Sequence, residues 1–289
     1  MKKKETPLST QDKSILKIIN RRKLSGSELE NILKSVEKTP VPSANKPADF
    51  SKYRGKHLRF GIISDSHIGS VYFDGSFMKY AVDVLNKNSP DFVIHGGDVC
   101  EGHYEGIRDG SVFELEHIGG DAQIERAVKE LGRIKSPIKF ITGNHEYNTF
   151  YRKSGIEIGK TLQRRLTNSE YLGNGEGWII LPHKKRIQIL HPDGGTAYAI
   201  SYRPQKIAES ITGGSKPDIL TISHFHKLEY LFYRNIHILQ TGTLENQTKF
   251  MKGRHISAHK GFIICDVDFG KDGISKFSPT FYPGYKDEK

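Results

Sequence analysis

Carboxylate, imidazole and amide side chains recur in five short clusters along this 289-residue chain. The clusters are Asp65-Ser66-His67, Gly96-Gly97-Asp98, Gly143-Asn144-His145-Glu146, the single His191, and His224-Phe225-His226. Side chains of these types, without cysteine, suit divalent ions such as Mn, Fe or Zn. Bound ions of this kind lower the pKa of a water molecule, so hydrolysis is the chemistry that such a set would support.

A single cluster of this kind is weak evidence for a site. Asp-x-His is often a helix cap or a satisfied polar pair, and Gly-Asn-His is often a turn. The five clusters gain meaning because they follow one another in this order, each at the end of an apolar run.

The apolar runs are short and rich in β-branched residues, as strands are. Three of them, LRFGIIS (58–64), DFVIHG (91–96) and IKFIT (138–142), end at the first three clusters, and helix-like stretches separate them. Strands that alternate with helices predict a parallel sheet. Ligands of open α/β sheets gather at the carboxyl ends of the strands, so we expect the clusters to converge there.

The second half of the chain predicts a second, more mixed sheet. Its apolar runs are RIQILH, TAYAIS, DILTIS, NIHILQT and GFIICDVD, with fewer helices between them. His191 ends the first of these runs, and His224 and His226 follow the third, two residues apart and so on the same face of an extended segment. The expected fold class is α/β, with two packed mixed sheets flanked by helices.

The ordered set Asp-x-His, Gly-Asp, Gly-Asn-His-Glu, His and x-His-x-His resembles the calcineurin-like metallophosphoesterase superfamily over roughly residues 58–268. The resemblance implies an αββα four-layer sandwich and two divalent ions, Mn first, with Fe, Zn or a mixed pair as alternatives. It assigns Asp65, His67 and His226 to one ion, Asn144, His191 and His224 to the second, and Asp98 to both. It makes His145 the catalytic histidine, with Glu146 beside it.

Two positions leave alternatives open. Ser223 stands before His224 where the family usually has glycine, and His183 lies near enough in sequence to compete with His191 as a ligand. Glu146 could orient the imidazole of His145 or face a neighbouring loop. In the implied reaction the two metals clamp the phosphoryl oxygens and activate a water, while His145 assists at the leaving oxygen.

The expected substrate is a phosphodiester in DNA or RNA. Protein phosphatases follow Gly-Asp with an arginine, whereas this chain has Asp98-Val-Cys-Glu-Gly-His103 and no arginine before Arg108. Basic residues interleaved with aromatic ones follow two of the predicted strands and suit nucleic acid. From these segments we select Arg152, Lys153, Lys252 and Arg254 as substrate-binding candidates.

An overall likeness to the SbcD-like exonuclease branch points the same way. A phosphomonoesterase acting on proteins or small nucleotides, and a non-catalytic nucleic-acid-binding scaffold, are the alternatives.

The basic charge is concentrated at the start of the chain. Residues 1–57 hold 14 Lys or Arg against 6 Asp or Glu, a balance of +8 out of a total of +11. We expect a basic helical segment at 1–38, part of a helix-turn-helix-like unit with capping signals at Ser9 and Ser25, then a proline-containing linker at 39–57 and the metallophosphoesterase domain at 58–289. The first segment would contact nucleic acid or a protein partner, or be a solvated tail.

The sequence favours a cytoplasmic protein without a membrane span. It shows no apolar run of about 20 residues. The opening MKKKETPLSTQDK is charged but lacks an apolar stretch, so we expect no secretion. Its two cysteines, Cys100 and Cys265, are expected to be buried free thiols.

Overall fold

The computed structural model describes residues 25, 27, 28, 46–103 and 112–284. The chain divides into two units, Met1–Val41 and Pro42–Lys289. In the first unit, the backbone N–H of Ser25 donates to Glu28 Oε2 at 2.8 Å, and the Glu28 N–H donates to Ser25 Oγ at 3.3 Å. This is the capping arrangement predicted at Ser25. The rest of the predicted segment 1–38, including Ser9, lies outside the described residues.

Twelve strands form two six-stranded sheets in the described part of the second unit. The strands are β1 Ala48–Asp49, β2 His57–Ile63, β3 Phe92–His95, β4 Ile138–Thr142, β5 Ser169–Asn174, β6 Glu176–Ile180, β7 Arg186–Leu190, β8 Ile219–Ile222, β9 Leu228–Tyr233, β10 Ile236–Thr241, β11 Gly261–Gly270 and β12 Gly273–Pro283. One sheet has the order β12-β11-β2-β3-β4-β5 and the other β1-β6-β7-β8-β10-β9. Both mix parallel and antiparallel pairs, as predicted.

The helices are α1 Gly75–Asn88, α2 Gly120–Leu131, α3 Asn144–Glu146, α4 Arg152–Ser154, α5 Ile158–Arg165, α6 Tyr202–Ser210 and α7 Lys249–Gly253, with a π-helical turn at Tyr147–Tyr151. Helix α1 begins where the side chain of Asp74 accepts the N–H of Phe77, and it buries Met78, Ala81 and Leu85 at the three- and four-residue spacing of one helix face.

Three layers of apolar contact explain why the elements stack. Side chains of α1, α2 and α5 pack on one face of the β2–β5 sheet, and Phe60, Ile62 and Ile94 on its other face meet Ile187 and Ile189 of the second sheet. Further apolar side chains of β8 and β10 turn outward and pack against α6. Alternate residues of a strand point to opposite faces, so each sheet is covered on both sides. The predicted sandwich flanked by helices is confirmed.

Two stretches differ from the sequence-based expectation. The run TAYAIS (196–201) was expected to be a strand but is not one. Both edges of β7 are already paired, with β6 and with β8, so no place is left beside it. Because β7 and β8 are parallel, the chain between them must cross over the sheet, and residues 191–218, which include TAYAIS, form this crossover. Within the stretch expected to be a linker, Ala48 and Asp49 form β1 and pair with β6. Ala48 is buried, so apolar contact holds this end of the stretch against the second sheet.

No helix in the described ranges is both long enough and apolar enough to cross a membrane.

Candidate metal centre

The loops after the first two parallel strands run side by side and bring their clusters together. The N–H of Asp65 donates to the carbonyl of Gly97 and the N–H of His67 donates to the carbonyl of Asp98, both at 3.0 Å. The cluster after β4 joins them, because the N–H of His145 donates to Asp98 Oδ1 at 2.9 Å. The convergence expected at the carboxyl ends of the strands is therefore present.

Five of the predicted ligands have left-handed backbone conformations. Their φ angles are 48° at Asp65, 47° at His67, 47° at Asp98, 75° at His224 and 51° at His226. Such a conformation costs a non-glycine residue about 1–3 kcal/mol, and it persists where the surroundings fix it, commonly at functional sites. The strain here turns the polar side chains that follow β2, β3 and β8 toward one another.

The first donor group consists of Asp65, His67 and His226. Their ligand atoms lie within 4.8 Å of one another and all three residues are buried. His226 Nε2 is 3.4 Å from Asp65 Oδ1 and 3.2 Å from His67 Nε2. The three residues assigned to one ion by resemblance thus form one compact set of donors.

The second group contains Asp98, His191 and His224, with Asn144 beside them. His191 Nε2 lies 3.0 Å from Asp98 Oδ2 and 3.1 Å from Asn144 Oδ1. Gly143 allows this approach, since a Cβ there would lie 2.3 Å from Asp98 Oδ1. The choice of His191 over His183 agrees with this geometry.

Asp98 lies between the two groups. Its Oδ2 is 3.0 Å from His191 Nε2 of one group and 3.9 Å from His67 Nε2 of the other. Burial would raise the pKa of Asp98, but the charges of His191 and His145 outweigh it and hold the pKa well below its usual value. A carboxylate in this place has two oxygens and a negative charge to offset two cations.

Hydrogen bonds to the far side of the imidazoles test whether the groups fit metal ions. His191 Nδ1 donates to the carbonyl of Gly96 at 2.9 Å, so Nε2 is the nitrogen that faces the oxygens of Asp98 and Asn144. The Nδ1 of His67 lies against the carboxylate of Glu101 in the same way, so its Nε2 faces His226. A divalent cation among these atoms would replace the protons that the neighbouring carboxylates attract, and outer partners of this kind are typical of metal-bound histidine. The residues fit the implied metal pair.

His145 is held at the edge of both groups. Its Nδ1 donates to the backbone carbonyl of Glu101 at 2.8 Å, and its Nε2 is 4.0 Å from Asp98 Oδ2. The side chain is 21% exposed, whereas that of His67 is 4% exposed. A substrate could therefore reach this ring directly.

Glu146 faces the neighbouring loops. Its Oε1 accepts the N–H of Cys100 at 2.7 Å and its Oε2 accepts the N–H of Gly143 at 2.8 Å. Burial, reinforced by the charge of Asp98, raises the pKa of this carboxyl. Of the two alternatives left open for Glu146, the geometry favours the one in which it positions the loops after β3 and β4.

Two further carboxylates border the first donor group, and both were missed by sequence reasoning. Glu101 Oε2 lies 2.8 Å from His67 Nδ1, and the buried Glu245 has an oxygen 3.9 Å from His67 Nε2. Burial would lower the pKa of His67, but Glu245 and Glu101 outweigh it and hold the pKa well above its ordinary value. A field that favours a positive charge in this way also favours a divalent cation. Glu245 follows the end of β10, so the strand-end rule could have found it.

Ser223 is accommodated by a glycine opposite it. A Cβ at Gly96 would lie only 2.0 Å from Ser223 Oγ, so the bare backbone of Gly96 leaves room for the hydroxyl. Thr241 Oγ1 donates to that hydroxyl at 3.1 Å. The departure from the family pattern is thus absorbed locally, and His224 still joins its group.

The four substrate-binding candidates lie on exposed helical segments that follow Glu146 and Glu245. Arg152 and Lys153 form part of α4, where Lys153 Nζ donates to the carbonyl of His103 at 3.0 Å. Lys252 lies in α7, and the guanidinium of Arg254 lies 3.9 Å above the ring of Phe250. Neither pair belongs to a donor group of the described residues.

Comparison with known proteins gives the family. The family model described as calcineurin-like phosphoesterase matches residues 58–271. The DNA polymerase II small subunits of two Halobacterium salinarum strains are each 22% identical over 261 residues, which cover 77% of this chain and 51% of theirs. The chain spans about half the length of the curated relatives it matches.

Similar solved structures include a novel archaeal phosphodiesterase, with a TM-score of 0.43, 14% identity and coverage of 78% of this chain and 100% of that one. A putative 5′-nucleotidase from Staphylococcus aureus has a TM-score of 0.44, 14% identity and coverage of 80% and 55%. The family match spans most of the sequence and includes both donor groups and all strands of the two sheets except β1 and β12. The chain therefore belongs to the calcineurin-like phosphoesterase family.

Proposed function

We propose that this protein is a phosphodiesterase that uses two divalent ions to cleave nucleic acid. The proposal rests above all on two donor groups that meet at one carboxylate, Asp98, and whose members are buried except for the partly buried Asn144 and His224. Asp65, His67 and His226 would hold one ion, Asn144, His191 and His224 the other, and Asp98 would contact both. The mixture of imidazole, carboxylate and amide donors favours Mn, with Fe and Zn as alternatives.

Bound ions would supply charge for the phosphoryl oxygens and an acidified water as nucleophile. His145 would act at the leaving oxygen. Because its Nδ1 is committed to the carbonyl of Glu101, the proton that it delivers would come from Nε2, the nitrogen on the side of Asp98. General acid catalysis by a positioned imidazole contributes about 10²–10⁴-fold.

A diester is favoured over a monoester by the charge of the loop after β3. Protein phosphatases carry a phosphate-binding arginine in this loop, in the pattern Asp-x-x-Asp-Arg-Gly, whereas this chain has Gly102 at that position and places the neighbouring carboxylate of Glu101 against His67. The His145 and His67 charges outweigh burial and hold the pKa of Glu101 below its ordinary value, so it is ionised at neutral pH. A phosphomonoester dianion would therefore lack the extra cation that the arginine supplies in a phosphatase, whereas a diester carries only a single negative charge.

Nucleic acid is favoured by aromatic and basic residues on the segments that follow Glu146 and Glu245. Phe250, half exposed, carries the guanidinium of Arg254 on its face, and the partly buried rings of Tyr147 and Tyr151 stack with their centroids 5.5 Å apart. Such pairs can stack bases while Arg152, Lys153 and Lys252 neutralise the backbone. A relationship to a DNA polymerase small subunit fits this substrate class.

The setting of the reaction is also part of the proposal. The basic segment 1–38 would add a contact to nucleic acid or to a protein partner. Buried free thiols at Cys100 and Cys265 suit the reducing cytoplasm.

The test is hydrolysis of end-labelled single- and double-stranded DNA and RNA with Mn²⁺, beside His145→Ala and an EDTA control. We expect cleavage that requires both the metal and His145. Hydrolysis of an aryl phosphate monoester or a phosphopeptide much faster than any diester would replace the proposal by a phosphatase. A protein that binds the oligonucleotides but no metal would be a scaffold.

A further inference from the structure

A group of basic residues surrounds a cavity at the end of β2 that lies away from the metal-ligand groups. A cavity of about 640 Å³ opens between the segment that precedes β2, the turn Pro182–Lys184 and the hairpin that joins β11 to β12. Strand β2 separates it from Asp65, and its seven residues rise ~3.3 Å each, so the two sites are about 20 Å apart.

The cavity lining carries only positive charge. Eleven residues line it, and the ionisable ones are Lys52, Arg54, Lys56, Lys271, His183 and Tyr53, with no Asp or Glu among them. The four Lys and Arg side chains of the lining have no carboxylate within 4.0 Å among residues 46–103 and 112–284.

Acidic residues near the cavity are committed elsewhere or point outside it. Asp49 Oδ1 accepts the N–H of Ser51 at 2.8 Å, and Asp268 Oδ1 lies 2.7 Å from His57 Nδ1. Asp272 follows Lys271 in the hairpin but is not among the lining residues. The folded chain thus gathers four exposed cationic side chains around one space, and Asp49 interacts with the charge of Lys52 only at longer range. Like charges gathered in this way favour the binding of an anion.

The walls of the cavity are fixed by hydrogen bonds. Tyr53 Oη donates to the carbonyl of His57 at 2.6 Å, and the N–H of Phe269 donates to the carbonyl of Lys56 at 2.8 Å. His183 is held in the left-handed region at φ 57°, with its ring 6.1 Å from that of Phe269. These hydrogen bonds hold two parts of the wall in place, and the left-handed conformation of His183 is of the kind found at ligand sites.

We propose that this cavity binds a phosphate-bearing ligand of nucleotide size. Its volume falls within the range of about 300–1,000 Å³ that is usual for small-ligand sites. Four cations match the charge of a polyphosphate or of a few successive backbone phosphates, and the rings of Tyr53 and His183 lie beside them. The ligand is a free polyphosphate compound or a stretch of nucleic-acid backbone, both of which present the same chemistry. The inference does not depend on the catalytic activity of the metal centre.

The test compares two charge-reversal triples in EDTA, which keeps the metal centre from contributing. One carries Lys52→Glu, Lys56→Glu and Lys271→Glu in the cavity. The matched control carries Lys87→Glu, Lys129→Glu and Lys135→Glu at exposed positions on the helical side, with the same change in net charge. The probes are inorganic tripolyphosphate, followed by calorimetry, and a fluorescein-labelled oligo(dT), followed by anisotropy.

We expect the wild-type protein to bind at least one probe. The cavity triple should lower the affinity for that probe by about tenfold or more, and the control triple should lower it by about twofold or less. Tight tripolyphosphate binding at one site per chain would identify a free phosphate compound as the ligand. Binding of the oligonucleotide alone would identify nucleic-acid backbone. Equal affinity in the two triples, or no binding of either probe to the wild type, would overturn the proposal. Circular dichroism checks folding, and Lys56→Gln with Lys271→Gln replaces a triple that does not fold.

Discussion

Glu101 fixes the ring of His67, since its Oε2 lies 2.8 Å from Nδ1 of that imidazole. Through its backbone carbonyl the same residue accepts a hydrogen bond from Nδ1 of His145. Its loop is held in turn by the buried Gln123, whose side chain bonds both the N–H and the carbonyl of Gly102. One short loop therefore orients a predicted metal ligand and the predicted catalytic histidine together.

Removal of the Glu101 carboxylate should weaken metal binding. Glu101→Ala leaves His67 Nδ1 without its acceptor, so the imidazole becomes less basic and free to rotate, and we expect Mn²⁺ affinity to fall by about 10–100-fold in calorimetric titrations. Glu101→Gln keeps an oxygen that can accept the same hydrogen bond and should lose less. Glu125→Gln, on the exposed face of α2, is the control. Unchanged affinity in the Ala variant would contradict this role.

Asp98→Ala should abolish binding at both metal positions, because this carboxylate lies between the two donor groups. His226→Ala, which removes a donor from one group only, should leave one ion in place. Elemental analysis of the purified variants after dialysis against Mn²⁺ measures both contents. If the Asp98 variant retained two ions, Asp98 would not be a ligand of both.

His145→Ala should keep the metal content of the wild type and lose turnover by about 10²–10⁴-fold. Its ring stands outside both three-residue sets assigned to single ions, and its Nε2 is 4.0 Å from Asp98. Elemental analysis and a diester hydrolysis assay on the same preparation separate the two effects. Loss of metal together with activity would make His145 a ligand, and full activity would remove it from the reaction.

The convergence of the predicted ligand residues could be predicted because parallel strands place their carboxyl ends at one edge, and β2, β3 and β4 are such neighbours. The hydrogen bonds that Glu101 and Glu146 make around the predicted ligands could not be predicted from the sequence. Whether the carboxylate of Glu101 points to His67, or that of Glu146 to backbone N–H groups, depends on loop conformations, and these leave no periodic pattern in the sequence. The prediction of a strand at TAYAIS was wrong. Its alternation of apolar and polar residues reflects only neighbouring positions, whereas strand formation also needs an unpaired neighbouring strand, and both edges of β7 are already paired.

Asp74 should contribute a pH-dependent part of the stability. It caps α1 through the N–H of Phe77 and binds Lys260 Nζ at 2.6 Å. Burial would raise its pKa, but Lys260 and the cap hydrogen bond outweigh burial and lower it. A lowered acid pKa gives stability that is present above the unfolded value of 3.8 and lost as the pH falls through the folded value.

Asp74→Ala should therefore reduce the free energy of unfolding by about 1–2 kcal/mol at pH 7, with a smaller difference below about pH 4. Urea titrations of both proteins across this range measure it. A constant difference down to pH 3 would show that the cap acts without the charge.

Glu146→Ala should destabilise the fold even without metal, because it leaves the buried N–H groups of Cys100 and Gly143 without their acceptor. Each of the two losses costs about 1–3 kcal/mol, so we expect a fall of about 2–6 kcal/mol in the free energy of unfolding, measured by urea titration in EDTA. Glu125→Ala, which is exposed, should change it by less than about 0.5 kcal/mol. A Glu146→Ala protein of wild-type stability that had lost turnover would instead assign the carboxylate to the reaction.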